Sequence, residues 1–138
     1  MAAAVRELLG ELGGVPPAEE AMRASARALL DDPAAGAVLV AEAEGALVGM
    51  LAASWQTAIH APGRYALIQD LWVHPRWRGR AIGRALLDGL FALTAELGMA
   101  CVEVGLPRER FAGLAATRAF YGANGFAELG VRMRRVLG

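Results

Sequence analysis

Lysine is missing from this chain, and all 14 basic residues are arginine. The bias reads as nucleotide composition rather than function, but no Gly-Lys-Ser/Thr exists to form a nucleoside-triphosphate loop. Cysteine occurs once, at Cys101, so an internal disulfide is excluded. Inside the apolar run Met99 to Leu106 that thiol is expected to be buried and structural rather than nucleophilic. Net charge is also absent: the formal sum is +0 at pH 7, which removes any global attraction to nucleic acid or to a membrane surface. No stretch approaches the ~20 apolar residues of a membrane span, and Arg6 and Glu7 stand where a signal peptide would place its apolar core. A cytoplasmic protein without a resident metal is expected, with neither nucleic acid nor membrane as partner. At 138 residues and 56% hydrophobic composition, the chain reads as a single domain, 1–138, able to bury one core.

The pattern then yields a mixed α/β chain. Val5, Leu8, Leu9 and Leu12 predict a first helix, ended by Gly13-Gly14, and Pro17 to Leu30 a second. The second helix should bury Met22, Ala26, Leu29 and Leu30. Ala37 to Ala43 and Ala46 to Gln56 read as a hairpin turning at Glu44-Gly45, with an irregularity at Gly49. Trp55, Gln56, Thr57, His60 and Pro62 fall in or after the end of the second strand, in a segment that either lines a cleft or runs through solvent. Tyr65 to Val73 is the central strand, stopped by His74-Pro75 because proline cannot donate to a ladder. Ile82, Leu86, Leu90, Leu93 and Leu97 carry a helical period up to the stop at Gly98. A strand from Met99 to Leu106 completes a crossover and lies parallel to the central one. Ala112 to Ala123 predicts a helix with Leu114, Ala115, Ala119 and Tyr121 or Phe120 inward, ended by Asn124-Gly125. Val131 to Val136 alternates and reads as an edge strand with one wet face.

The junction from Asp70 to Leu87 holds most of the chemistry. Arg78-Gly79-Arg80-Ala81-Ile82-Gly83-Arg84 puts small residues where a helix begins, so that unpaired N–H donors and arginines together suit an anion. A tight turn with a solvated basic face is the plainer reading of the same residues. The dinucleotide Gly-x-Gly-x-x-Gly fingerprint does not fit, while a phosphate ligand does.

Two motifs carry a resemblance. Leu71-x-Val73-His74-Pro75-x-x-Arg78-Gly79-x-x-Ile82-Gly83-x-Ala85-Leu86-Leu87, followed by Phe120-Tyr121-x-x-x-Gly125-Phe126, resembles the GNAT superfamily of acyl-coenzyme A-dependent N-acyltransferases over most of the chain. The resemblance implies an α+β fold with a mostly antiparallel central sheet flanked by helices and a parallel strand pair at the cofactor site. It implies acetyl-coenzyme A as cofactor, its diphosphate gripped by Arg78, Gly79, Arg80, Ala81, Ile82, Gly83 and Arg84, and its pantetheine paired with Leu71, Trp72 and Val73. Tyr121 would protonate the departing thiolate, a phenol of pKa ~10 facing a thiol of ~8.5. The reaction would be direct attack of a primary amine on the thioester, with Asp70 as the candidate base and Glu103 on the neighbouring strand. Asp70 as a backbone-bonding structural residue stays open beside that role.

Four departures from the family pattern bear on the site. Gln69 replaces a frequent glutamate; Ala81 replaces a loop glycine and should keep a negative φ that alanine allows; Leu114 replaces an asparagine. Relatives usually begin with a strand, whereas here only Met1 to Ala4 precede the first expected helix, which would leave the strand from Ala37 with an edge that a second copy could cover in a homodimer. The acceptor is a small-molecule or protein amine, and Trp55, Trp72, Arg108, Glu109 and Arg110 are expected to border its cleft. A non-catalytic acyl-coenzyme A sensor, favoured by Gln69, and nucleic-acid binding through Arg76, Arg78, Arg80 and Arg84 are the competing readings.

Overall fold

A computed structural model describes residues 18–107 and 112–138. The first expected helix, Val5 to Leu12, and Arg108 to Arg110 lie outside the described residues. The chain divides into two compact units at the Val104/Gly105 step.

In the first unit, helix α1 (Glu19–Asp31) precedes β1 (Gly36–Ala43), β2 (Ala46–Thr57) and β3 (Arg64–Val73). A 3-10 turn (Pro75–Trp77) leads to α2 (Ile82–Glu96) and β4 (Val102–Val104). The sheet order is β1-β2-β3-β4, antiparallel except for β3 against β4. Turn chemistry sets this register. Glu44 and Gly45 have φ of 53° and 75°, the two positive values that a tight hairpin with right-handed twist requires. Ala43 and Ala46 close the ladder beside them. The register slips between Ala41 and Glu42, making Val48 the extra residue of β2, next to the position expected from Gly49.

Each sheet face has its own helix. Register partners share a face, so Met50, Ala52 and Trp72 form one buried cluster, against which Leu29 of α1, Val38 and Leu47 pack. Met22 of α1 is buried as expected, but Leu30 is 52% exposed: it is the next residue round the helix from Leu29, which takes the sheet-facing position of the last turn. On the other face Leu51 meets the α2 side, and Leu51, Leu87 and Leu90 are the largest fully buried side chains. Burial of each is worth about 1.5–3 kcal/mol. Gly49 explains the closeness of α2: a Cβ there would stand 2.9 Å from Ile82 Cγ2 and 3.3 Å from Leu86 Cδ1.

Helix α2 ends as its glycine predicts. Gly98 has φ of 68°, its N–H donates to the Ala95 carbonyl, and the Met99 N–H donates to the Thr94 carbonyl. Strand β4 is shorter than the apolar run Met99 to Leu106 suggests. Its ladder with β3 spans only Ala66↔Val102, Leu67↔Glu103 and Ile68↔Val104. Cys101 is exposed rather than buried: it precedes β4, and its carbonyl accepts from the Ala66 N–H while the thiol faces solvent.

The second unit holds helix α3 (Leu114–Ala123). Tyr121 is its buried residue, whereas Ala115 and Ala119, expected inward, are exposed. Residues 126–138 contain no strand. The edge strand read over Val131 to Val136 is therefore corrected: Val131 and Met133 are 94% and 98% exposed, and alternation without a pairing partner makes no ladder.

Candidate functional site

Two features of β3 shape the site in the first unit. The β2–β3 register slips between Ala52/Asp70 and Ala53/Ile68, so Gln69 is the unpaired extra residue and the strand bends there. The parallel ladder with β4 stops at Ile68↔Val104. Leu71, Trp72 and Val73 thus lie beyond the parallel pairing, on a strand bonded to β2 along its other edge.

The motif that follows β3 is a sequence of local caps. The His74 N–H donates to the Val48 carbonyl at 2.7 Å, extending the pairing by one residue. His74 Nδ1 then accepts from the Arg76 N–H at 3.2 Å, and Pro75 supplies the fixed φ that opens the 3-10 turn. Arg78 Nε reaches back 3.0 Å to the Val73 carbonyl and fastens the loop to the strand end. The Arg80 guanidinium lies 4.8 Å from the Trp77 ring centroid, a cation–π contact that holds it close to the start of α2.

Gly79 has φ of 77° with open space where a side chain would be. Ala81 is a correction: its φ is 62°, in the left-handed region, not the negative value expected of alanine. The loop needs that conformation to turn the chain into the helix, and the strain is borne by the residue that lacks glycine's freedom. The Ala85 N–H donates to the Ala81 carbonyl, the opening bond of α2. Ile82, Gly83 and Arg84 therefore bring the helix's orphan N–H donors. Ala81 gives no side-chain cap, and no acidic residue stands in the first turn. An uncapped helix start beside Arg80 and Arg84 fits a diphosphate anion.

Asp70 lies on the α1 face, opposite Ala52 in the register. Burial raises its pKa above the ordinary carboxylate value. Gln69 Nε2 donates to Ser54 Oγ at 2.9 Å, as does Gln56 Nε2, so the residue standing in for the frequent glutamate is held by side-chain amide bonding. Trp55 has a structural tie instead of a free edge: its Nε1 donates to the Pro33 carbonyl at 3.0 Å. Trp72 is buried in the α1-side cluster with its ring edge-on to His74. Glu103 is half-buried on β4.

In the second unit, the Phe120-Tyr121-x-x-x-Gly125-Phe126 motif resolves into a helix stop. Gly125 has φ of 90°, its N–H donates to the Gly122 carbonyl, and the Phe126 N–H donates to the Tyr121 carbonyl. The chain reversal lays the Phe126 ring edge-on to Tyr121 at 5.3 Å, and Phe120 stands 5.2 Å away. Burial pushes the Tyr121 phenol up to about 12. Sequence reasoning singled out Tyr121 and Gly125 but missed Phe126 as the group that orients the ring. It also missed Ser54, whose importance appears only once the β3 irregularity brings Gln69 across to it.

The acetyltransferase (GNAT) domain model matches residues 34–128. The chain belongs to the GNAT acetyltransferase family. No curated protein matches it in sequence. Among solved structures, a possible acetyltransferase from Clostridium difficile 630 superposes with a TM-score of 0.81 at 16% identity, covering 99% of this chain and 88% of that one. AAC(6')-Iy, in complex with the bisubstrate analogue CoA-S-monomethyl-acetylneamine, gives 0.78 at 19% identity, covering 99% and 92%. Glucosamine-6-phosphate N-acetyltransferase from Arabidopsis thaliana gives 0.74 at 18%, covering 100% and 95%. As a GNAT acetyltransferase the chain is an enzyme that draws on acetyl-coenzyme A. Its mixed sheet, antiparallel but for β3 and β4, is the fold expected from the resemblance.

Proposed function

We propose that this GNAT acetyltransferase moves the acetyl group of acetyl-coenzyme A onto a primary amine by direct attack. The observation that carries the reading is the α2 start, with no side-chain cap or first-turn acid and with Arg80 and Arg84 beside it. Gly79, Ala81, Ile82, Gly83 and Arg84 hold the cofactor diphosphate through main-chain N–H groups, and Arg78 and Arg80 add charge. Leu71, Trp72 and Val73 offer strand backbone to the pantetheine amides. The family model spans residues 34–128, which supports treating the chain as one acetyltransferase domain.

When bound, acetyl-coenzyme A supplies an activated thioester. Asp70, its basicity raised by burial, takes the proton that an arriving ammonium must lose. Tyr121 presents its O–H to the departing sulfur. With its pKa pushed up to about 12, the phenol is a weaker acid than a thiol of ~8.5, so it works as a hydrogen-bond donor that stays protonated at assay pH. The amine acceptors named for the neighbouring structures, an aminoglycoside derivative and glucosamine 6-phosphate, support an amine here without selecting one.

Thermal melting with and without acetyl-coenzyme A, followed by turnover of Tyr121→Phe, tests the proposal. A raised Tm at 100 times Kd corresponds to about 2.7 kcal/mol of stabilisation. Tyr121→Phe should lower kcat while leaving that shift in place. The tie between Gln69 and Ser54 favours a second reading, a coenzyme A-binding sensor. A sensor would show the melting shift and acetylate nothing across a broad amine panel.

A further inference from the structure

The sheet face beneath α1 changes character along its length. At one end Met50, Trp72 and Leu47 join Leu29 and Val38 in an apolar cluster. Towards the other end stand Asp70, Gln69, Ser54 and Gln56, brought to one face by the β2–β3 register and the extra residue in β3. Ser54 is the centre of this polar part. Its Oγ accepts from Gln56 Nε2 and from Gln69 Nε2, both at 2.9 Å.

A hydroxyl has two acceptor lone pairs and one proton. With both lone pairs engaged, the Ser54 proton is left to donate, and each carboxamide turns its oxygen away from the hydroxyl. The trio therefore offers one donor flanked by two acceptors, all uncharged. Asp70 sits opposite Ala52, two residues from Ser54 along β2, which makes Ser54 its diagonal neighbour across the strand pair at about 7–8 Å. At that spacing the two side chains can converge, each through a hydrogen bond of ~2.8 Å, on an amine nitrogen and an oxygen of one small acceptor.

Building on the proposed acetyl transfer, we infer that Ser54, held by Gln56 and Gln69, is an acceptor-positioning residue that selects amines carrying a nearby hydroxyl over plain alkyl or aryl amines. Its proton meets the acceptor's hydroxyl oxygen, and the carboxamide oxygens take the acceptor's hydroxyl hydrogens. The amine is thereby directed towards Asp70. A plain amine displaces water from these groups without replacing its hydrogen bonds, and this penalty creates the preference.

Steady-state kinetics of the full chain with D-glucosamine and with cyclohexylamine, at saturating acetyl-coenzyme A, test the inference. Wild type should favour glucosamine in kcat/KM. Ser54→Ala should raise the glucosamine KM about three- to tenfold, the loss expected for one uncharged hydrogen bond, with kcat and the cyclohexylamine KM little changed. Ser54→Thr, which keeps the hydroxyl, should restore the glucosamine KM, and equal melting temperatures for the variants separate this effect from misfolding. Acetyl-coenzyme A turnover with glucosamine no better than cyclohexylamine, or a Ser54→Ala loss equal for both amines, overturns the inference and leaves the transferase reading intact. Absence of both acetyl-coenzyme A binding and transfer to any amine overturns the two together.

Discussion

Ala81 pays for the shape of the loop with its own backbone. An L-residue at φ of 62° costs roughly 1–2 kcal/mol relative to one in its preferred regions. Ala81→Gly should relieve much of that strain and stabilise the protein by about 1 kcal/mol in denaturant melts, with coenzyme A affinity unchanged because the amides proposed to hold the diphosphate are main-chain groups. Asp70 is strained in a different sense. Its folded pKa is raised, so the native state binds its proton more readily than the unfolded chain does. Any contribution it makes to stability is therefore fullest in acid, where both states are protonated, and declines as pH rises past the ordinary carboxylate value. Asp70→Asn should therefore raise the melting temperature at pH 7, with the advantage disappearing towards pH ~4. The same variant should lose amine transfer. A melting temperature unchanged or lowered at pH 7 would show that the carboxylate is solvated or partnered.

At the scale of elements, glycines and prolines made most boundaries legible. Glu44-Gly45, His74-Pro75, Gly98 and Asn124-Gly125 each carry a stop whose backbone geometry has few alternatives. Pairing partners are less visible in a one-dimensional pattern. Met99 to Leu106 is apolar but for Glu103, yet only Val102–Val104 forms a ladder, whose last pair, Ile68↔Val104, stands just before the β3 irregularity at Gln69. Likewise Val131 to Val136 has the right alternation and no strand. Of the site, the anion-suited loop was readable from its small and basic residues, whereas the left-handed Ala81 and the Ser54 bridge depend on tertiary geometry. Gly49 links packing to function in a testable way. Gly49→Ala places a methyl against Ile82, the first residue of α2. Overpacking there should cost about 1–3 kcal/mol, and the shift of the helix start should weaken coenzyme A binding in calorimetric titration.

For the whole molecule, absence of net charge leaves recognition to local groups. Among the described residues no helix is long and apolar enough to cross a membrane. Among those same residues β1 forms one edge of the sheet, and Val40 on it is 49% exposed. An unpaired edge is a site for adding a strand from another chain, and we propose a homodimer formed through it. Sedimentation at micromolar concentration should give twice the monomer mass, and Val40→Lys should return it to monomer without unfolding; a wild-type monomer would refute the assembly.

The clasp of Arg78 on the Val73 carbonyl has a final consequence for how this enzyme meets its donor. A loop already buckled to the end of a strand has surrendered much of its conformational freedom during folding, so docking need not freeze it a second time. Arg78 would accordingly matter before any anion arrives. Its loss would leave a receptor that must first find its shape, an effect distinct from the disappearance of one positive charge.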